Sequence, residues 1–321
     1  MSVCQADGEG TSVGLNLRRF ESYARQAREI LSREPLRLAV AGAEDDDTIL
    51  AVRVCREEFG VEATLFGQVA KIENLAVEGG LSLRGMEVVD APTPAAAAQM
   101  ATSLVSSGKA HILMKGQVKT ADFMKAVLHP ETGLRTGRIL SHVAAMDVPE
   151  FDRMVFVTDA GINVSPDLKT KVEIVQNAID MARGLGYQKP RAAILAAVEV
   201  VNPEMQATTD AAAIAKMADR GQIKGAFVDG PLALDVAVSA EAAAQKGVTG
   251  EVAGRADVLV APDLESGNIL GKSMLYFGRA IMAGIVVGAR KPVVMNSRAD
   301  TPENKAASLA LAVILSSGSK Q

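Results

Sequence analysis

Short aliphatic runs recur along this chain, each followed by a longer, often alanine-rich stretch with apolar residues three to four apart. That alternation constrains the fold more than any other feature. The runs at 36–41 (LRLAVA), 63–66, 87–89, 111–114, 154–158, 192–195, 225–228, 257–260, 285–287 and 293–295 read as strands. Helices are expected over 93–106, 167–183, 203–219, 235–245 and 302–315, where good helix formers carry the apolar spacing. Strand and helix taking turns at this length predict an α/β fold, with parallel sheet covered on both faces. At 321 residues the chain has room for two such units. The segment His129–Pro149, with two prolines, two glycines and no strong period, is expected to cross between them.

Composition narrows the function. Lys plus Arg number 34 and Asp plus Glu 38, a net charge of −4, and only 3% of residues are aromatic, with no Trp. A mildly acidic chain without stacking rings is a poor match for nucleic acid. The longest apolar runs, such as Ile281–Ala289, fall far short of the roughly 20 residues a bilayer span requires, so no membrane role is expected. The opening MSVCQADGEGTS has neither the basic nor the apolar part of a secretory signal. With only Cys4 and Cys55, no disulfide framework is expected, and a reducing, cytoplasmic setting follows.

Most local motifs have a plain structural reading. The cluster Glu44-Asp45-Asp46-Asp47 could hold Mg²⁺ through its carboxylates, but a helix cap is the favoured reading, because Asp satisfies free N–H groups at helix starts. Ser266–Ser273 (SGNILGKS) comes close to a phosphate loop but lacks the first glycine that lets the backbone wrap a phosphate. It reads instead as a helix start whose N–H groups, around Gly267 and Asn268, can still meet a phosphate. His111, His129 and His142 are too dispersed for a zinc site, and neither a complete GxGxxG nor a GxSxG is present.

Two stretches carry more chemistry. In 113–138 a strand ends at Lys115-Gly116, Thr120 is placed to cap a helix, and Arg135 and Arg138 follow, gathering positive potential at one sheet edge. In 292–305 a strand delivers Ser297 and Arg298 at its carboxyl end, where α/β sheets bind ligands. An arginine there offers a planar fork for phosphate. The alternative is an idle turn in which Arg298 pairs with Asp300.

Taken together, MKGQVKTADF (114–123), ETGLRTGRILSHVA (131–144), FVTDAGINVSPDLKTKVEIVQNA (156–178), VDGPLALD (228–235), ADVLVAPDLESGNIL (256–270) and PVVMNSRADTPENKAASL (292–309) resemble the phosphate acetyltransferase/phosphate butyryltransferase family, with the butyryl branch the nearer. The first hundred residues match only in their alternating pattern. The resemblance implies two α/β/α three-layer domains with a cleft between them, like isocitrate and isopropylmalate dehydrogenases. The first would comprise 1–145 plus 297–321, so that the closing helix returns to it, and the second 146–296. It further implies reversible acyl transfer in a ternary complex, butyryl-CoA plus phosphate giving butyryl phosphate plus CoA. The acetyl reaction is the alternative. Coenzyme A is then a co-substrate, with no metal and no permanently bound cofactor, and the family's habit implies a homo-oligomer. Two other readings compete: a dehydrogenase of similar fold, which would need clustered aspartates for a metal, and a CoA-binding protein without catalysis.

Such a reaction passes through a tetrahedral oxyanion, so the site needs cations, aimed donors and a group to manage the thiol proton. Arg298 is expected at the phosphate or oxyanion and Ser297 as a hydrogen-bond partner. Lys115, Thr120, Arg135, Arg138, Ser141, Gly267 and Asn268 are expected to bind phosphate or coenzyme A. In the acetyl branch the proposed base is an Asp seven residues after the Ser of the Ser-Arg pair. Here that position is Asn304, which cannot take a proton. Either the neighbouring Glu303 supplies the base, or surrounding positive charge alone ionises the thiol.

Overall fold

The computed structural model describes residues 16–297 and 300–318. In chain order the elements are α1 (Phe20–Arg33), β1 (Arg37–Ala41), α2 (Asp46–Phe59), β2 (Glu62–Gly67), α3 (Val69–Glu78), β3 (Met86–Asp90), α4 (Pro94–Ser106), β4 (Ile112–Lys115) and α5 (Thr120–Val127). There follow β5 (Ser141–Asp147), β6 (Val155–Thr158), α6 (Leu168–Gly184), β7 (Arg191–Leu195), α7 (Gln206–Asp219), β8 (Phe227–Leu232), α8 (Leu234–Val238) and α9 (Ala240–Gln245). The chain closes with β9 (Val258–Val260), α10 (Leu264–Tyr276), β10 (Ile281–Val287), β11 (Val293–Val294) and α11 (Pro302–Gly318). The expected strands all form, within a few residues. The helix expected over 235–245 is broken at Ser239, which is extended and caps α9 by accepting from the Ala242 N–H.

All the strands share one sheet, in the order β3-β2-β1-β4-β11-β10-β5-β6-β9-β7-β8. Pairing is parallel within β3-β2-β1-β4-β11 and within β6-β9-β7-β8. At the centre β10 runs antiparallel to both β11 and β5, and β5 antiparallel to β6. The two halves of the sheet therefore run in opposite directions. Val294 at the end of β11, Ile285, Val143 and Thr158 at the end of β6 stand in one row across the sheet.

The central strand β5 is the principal correction to the sequence reading, which took its residues for part of a connecting segment. Every one of its seven residues is buried. A strand covered on both faces needs no alternation, so SHVAAMD carries no period to detect.

Helix starts follow local chemistry. Asp45, Thr93, Asp167 and Asp263 each cap a helix by accepting from the N–H three residues on, at 2.8–3.1 Å. The acidic cluster after β1 is thus a cap, as favoured, and Glu44 within it accepts from the Gln68 N–H and pairs with Lys71. α11 has twelve buried residues among its seventeen, so nearly its whole circumference is covered. It lies against α1, α2 and β10.

The two faces of the sheet differ. On one, a continuous core joins α1, α2, α11, α6 and α7 across both halves. On the other, two separate cores form, one under α4 and α5 and one under α8, α9 and α10. A cleft lies between them, over the central strands. Among the described residues no helix is long and apolar enough to cross a membrane.

A buried ion pair ties α6 to α7. Lys171 Nζ meets Asp210 Oδ2 at 2.7 Å with both side chains under a tenth exposed, and Gln206 donates to the other carboxylate oxygen. Removing one charge strands the other in a low-dielectric interior. Asp210→Ala is expected to cost about 3–5 kcal/mol, read as a lower urea midpoint; an unmoved midpoint would show that the pair carries no such weight.

Candidate active site

The cleft holds a cavity of about 250 Å³. Its floor is built from small residues, Ala144 of β5 and Ala160 and Gly161 after β6, which leave room above the sheet. Around it stand His142 from β5, Thr120 from α5, Asn268 and Lys272 from α10, and Asn296, Ser297 and Asp300 from the segment between β11 and α11. Gly284 on β10 makes space for the His142 ring, since a Cβ there would come within 2.8 Å of Nε2.

Asp300 is buried and well anchored. Its Oδ2 accepts from the Ser297 N–H at 2.7 Å and from Asn296 Nδ2 at 3.2 Å. Asn296 also donates to Ser308 Oγ, which accepts from the Gly284 N–H and donates to the Asn304 carbonyl. A continuous hydrogen-bonded chain thus links β10, α11 and the cavity wall. Burial raises the Asp300 pKa above the ordinary carboxylate value, against the lowering pull of its hydrogen bonds and of nearby His142 and Lys305. Burial likewise lowers the His142 pKa, opposed by the charge of Asp159, a backbone hydrogen bond at Met295 and the charge of Asp300.

Asp159 secures the other rim. Its Oδ1 accepts from the N–H groups of His142, Gly161 and Ile162, and its Oδ2 from that of Asn163. Asn268 Nδ2 donates to the Ala160 carbonyl, drawing the first turn of α10 onto this loop. Gly267 permits the approach, because a Cβ there would overlap the Asp159 carbonyl oxygen.

The residues singled out from the sequence fall in several places. Ser297, Thr120, Asn268 and the closely packed Gly267 belong to this cleft. Thr120 is not a cap: it is the first helical residue, preceded by Lys119, which makes no capping hydrogen bond. Lys115 is buried and opens on an adjoining cavity of about 210 Å³ with Lys305, Asp45 and Asp47; the two cavities share Asn296 and Ser297. Glu303 and Asn304 line a third space beside Tyr276. Asn304 Oδ1 accepts from the Met282 N–H at 3.0 Å, which pins α11 to β10. Ser141 is fully buried beneath Asn177, whose Nδ2 donates to its Oγ. Arg135 and Arg138 border other depressions, and Arg138 pairs with Asp180 at 2.9 Å. Arg298 and Cys4 lie outside the described residues. Both expectations for Ser266–Ser273 are corrected: the stretch lies wholly within α10, which starts earlier, at Leu264 behind the Asp263 cap, and the Gly267 N–H donates to the Asp263 carbonyl instead of meeting a ligand. Among the described residues no three His, Cys, Asp or Glu side chains converge to hold a metal ion.

His142, Asn296 and Asp300 line the cavity although no motif marks them: His142 has no histidine partner in sequence, and Asp300 reads as a turn partner for Arg298. The available signal was position, since a titratable residue between a strand end and a helix start is a natural cleft residue.

The phosphate acetyl/butaryl transferase family profile matches residues 93–313. The chain belongs to this family. A phosphate butyryltransferase of Clostridium acetobutylicum is 45% identical over 92% of this chain and 98% of the relative. A phosphate acetyltransferase of Rhizobium meliloti is 46% identical, over 84% of this chain and 85% of the relative. The crystal structure of a branched-chain phosphotransacylase from Enterococcus faecalis superposes with a TM-score of 0.78 at 35% identity, covering 88% of this chain and 99% of that one. A 4-hydroxythreonine-4-phosphate dehydrogenase from Klebsiella pneumoniae shares the fold alone, with a TM-score of 0.55 at 14% identity over 88% of this chain and 100% of that one. The dehydrogenase-like architecture expected from the family resemblance is therefore present.

The tight seat of α10 in this phosphate acyltransferase gives a direct test. Gly267→Ala must push the helix off the Asp159 loop, at a cost of about 1–3 kcal/mol for overpacking. A lowered melting temperature is the expected outcome; an unchanged one would show that the loop yields without penalty.

Proposed function

We propose that this chain transfers a butyryl group between coenzyme A and inorganic phosphate, directly and in a ternary complex: butyryl-CoA plus phosphate gives butyryl phosphate plus CoA, reversibly. The observation that carries the reading is the match with a phosphate butyryltransferase along nearly the whole of both chains. The cavity supports it chemically. Attack on the thioester carbonyl builds negative charge on oxygen, and donors held in place around a recess stabilise that charge better than mobile solvent does. Ser297 lines the cavity, and the buried Lys115 and Lys305 next door, which share their recess with Asp45 and Asp47, offer cations for phosphate. Arg298, adjacent in sequence to Ser297, is the residue we assign to the phosphate or the oxyanion. We further read Arg135 and Arg138, which line a depression with Ile162 and Asn163, as contacts for the phosphates of coenzyme A.

In this reading coenzyme A is a co-substrate and no resident metal or cofactor takes part. The two lobes flanking the cleft are read as 1–145 with 297–321 and as 146–296, except that β11, paired in parallel with β4, goes with the first, and the protein works as a cytoplasmic homo-oligomer. Exposed Ile269, Tyr276 and Phe277 on and just after α10 are suited to a self-contact. A second reading, the acetyl reaction, is favoured by one observation: the acetyltransferase relative is as identical as the butyryl one, though over less of both chains. One methylene in an acyl pocket is worth about 1–3 kcal/mol, so small changes in the wall decide between them.

Release of free thiol from acetyl-, propionyl-, butyryl- and isobutyryl-CoA, with and without phosphate, tests this. Phosphate-dependent release fastest with a four-carbon acyl group is expected. Preference for acetyl-CoA would establish the alternative, and no release from any would overturn both. Arg298→Ala is expected to lower turnover about a hundredfold or more, the usual effect of losing one oxyanion donor. Near-normal turnover would remove Arg298 from the mechanism.

A further inference from the structure

The proposed reaction moves a proton on or off the coenzyme A thiol, and the residues considered from the sequence are poorly placed for it. Asn304 has no proton to exchange, and its side-chain oxygen is occupied by the Met282 N–H. Glu303 opens on the neighbouring space rather than on the cavity that Ser297 lines. One carboxylate does line that cavity: Asp300.

Resting on that functional reading, we propose that Asp300 is the general base and acid for the coenzyme A thiol, with His142 beside it as a positioning residue. Three observations converge. Among the described residues the hydrogen bonds that Asp300 accepts, from the Ser297 N–H and Asn296 Nδ2, both fall on Oδ2, which leaves Oδ1 to take a proton. Those bonds come from the segment that carries Ser297 itself, so the carboxylate is registered to the reacting centre. His142 lines the same cavity, and its buried Nδ1 has no hydrogen-bond partner among the described residues. Among the described residues the other charged groups around Asp300 are Lys305 on α11 and Lys272 on α10, with Asp159 behind His142. Burial holds the acid form of Asp300 to higher pH than usual, which suits a group that must both take and return a proton near neutrality.

The step balances. With thiol as the acceptor, Asp300 takes the S–H proton and the sulfur lone pair attacks the acyl carbon of the acyl phosphate. The C–S bond forms, the C–O bond to phosphate breaks, and phosphate leaves with that electron pair and finally the proton. In the opposite direction a phosphate oxygen attacks the thioester carbon, the C–S bond breaks, and Asp300 returns a proton to the departing sulfur.

The test is the pH dependence of turnover in both directions for the wild-type protein, Asp300→Asn, Asp300→Glu and His142→Gln. Wild-type turnover with thiol as acceptor should fall as pH drops through the raised Asp300 pKa, since only the carboxylate accepts the proton. Asp300→Asn should lose at least about a hundredfold in kcat, in line with general acid–base catalysis, with little change in KM for coenzyme A, and should lose that acid limb. Asp300→Glu should restore part of the rate together with the limb, which separates loss of the acid from loss of the fold. His142→Gln should keep the limb and move it to higher pH, because a partner that lowers the Asp300 pKa is gone. An active wild-type protein with an unimpaired Asp300→Asn overturns this assignment alone. A wild-type protein inert on every acyl-CoA overturns the functional reading and the assignment with it.

Discussion

The reversal of strand direction at β10 and β5 is the constraint on which the rest depends. Two parallel half-sheets could each have closed as a separate unit. Instead they are joined by two antiparallel strands in register from Ile281 with Asp147 to Val287 with Ser141. The strand ends of β11 and β6 are thereby brought level across the same two central strands. The carboxyl ends of strands are where α/β sheets present ligand-binding loops, and here one such loop from each half meets at a single place. The segments 295–297 with Asp300 and 159–163 owe their proximity to that reversal.

The two sheet faces then divide the labour. Helix α11, buried on almost all sides, welds the halves on one face through a continuous aliphatic core. The opposite face is left open between two smaller cores. Such an arrangement is rigid beneath and hollow above, and the hydrogen-bonded chain from Gly284 through Ser308 and Asn296 to Asp300 carries that rigidity into the cavity wall. A chain with a net charge of −4 thus places buried lysines and a buried, anchored carboxylate in two adjoining recesses that share Asn296 and Ser297. Local potential, stronger where water is excluded, governs what such a recess binds.

Much of this was legible beforehand because it is local. Asp45 and Asp263 cap helices through the N–H three residues on, and Thr93-Pro94 opens another, all within a few bonds of chain. Ser297 could be placed at a strand end by the same short-range reasoning. Thr120, Ser141 and the pair Glu303 and Asn304 were harder. Whether a hydroxyl caps a helix, vanishes under Asn177 or faces a ligand depends on residues tens of positions away. Central strand β5 escaped because burial on both faces erases the alternation by which a strand is recognised.

The sequence by itself determined the alternating α/β character, the acidic cap of α2 and the family, since each rests on residue order and short-range chemistry. Only the tertiary structure decided which of the chemistry-bearing residues share a cavity. His142 and Asp300 are 158 positions apart in the chain, yet the pairing of β5, β10 and β11 brings them to one wall. Arg135 and Arg138, which lie closer in sequence to His142, are turned to other surfaces. Strand register is a long-range property: it is fixed by which faces can be buried together, and no local window of sequence contains that information.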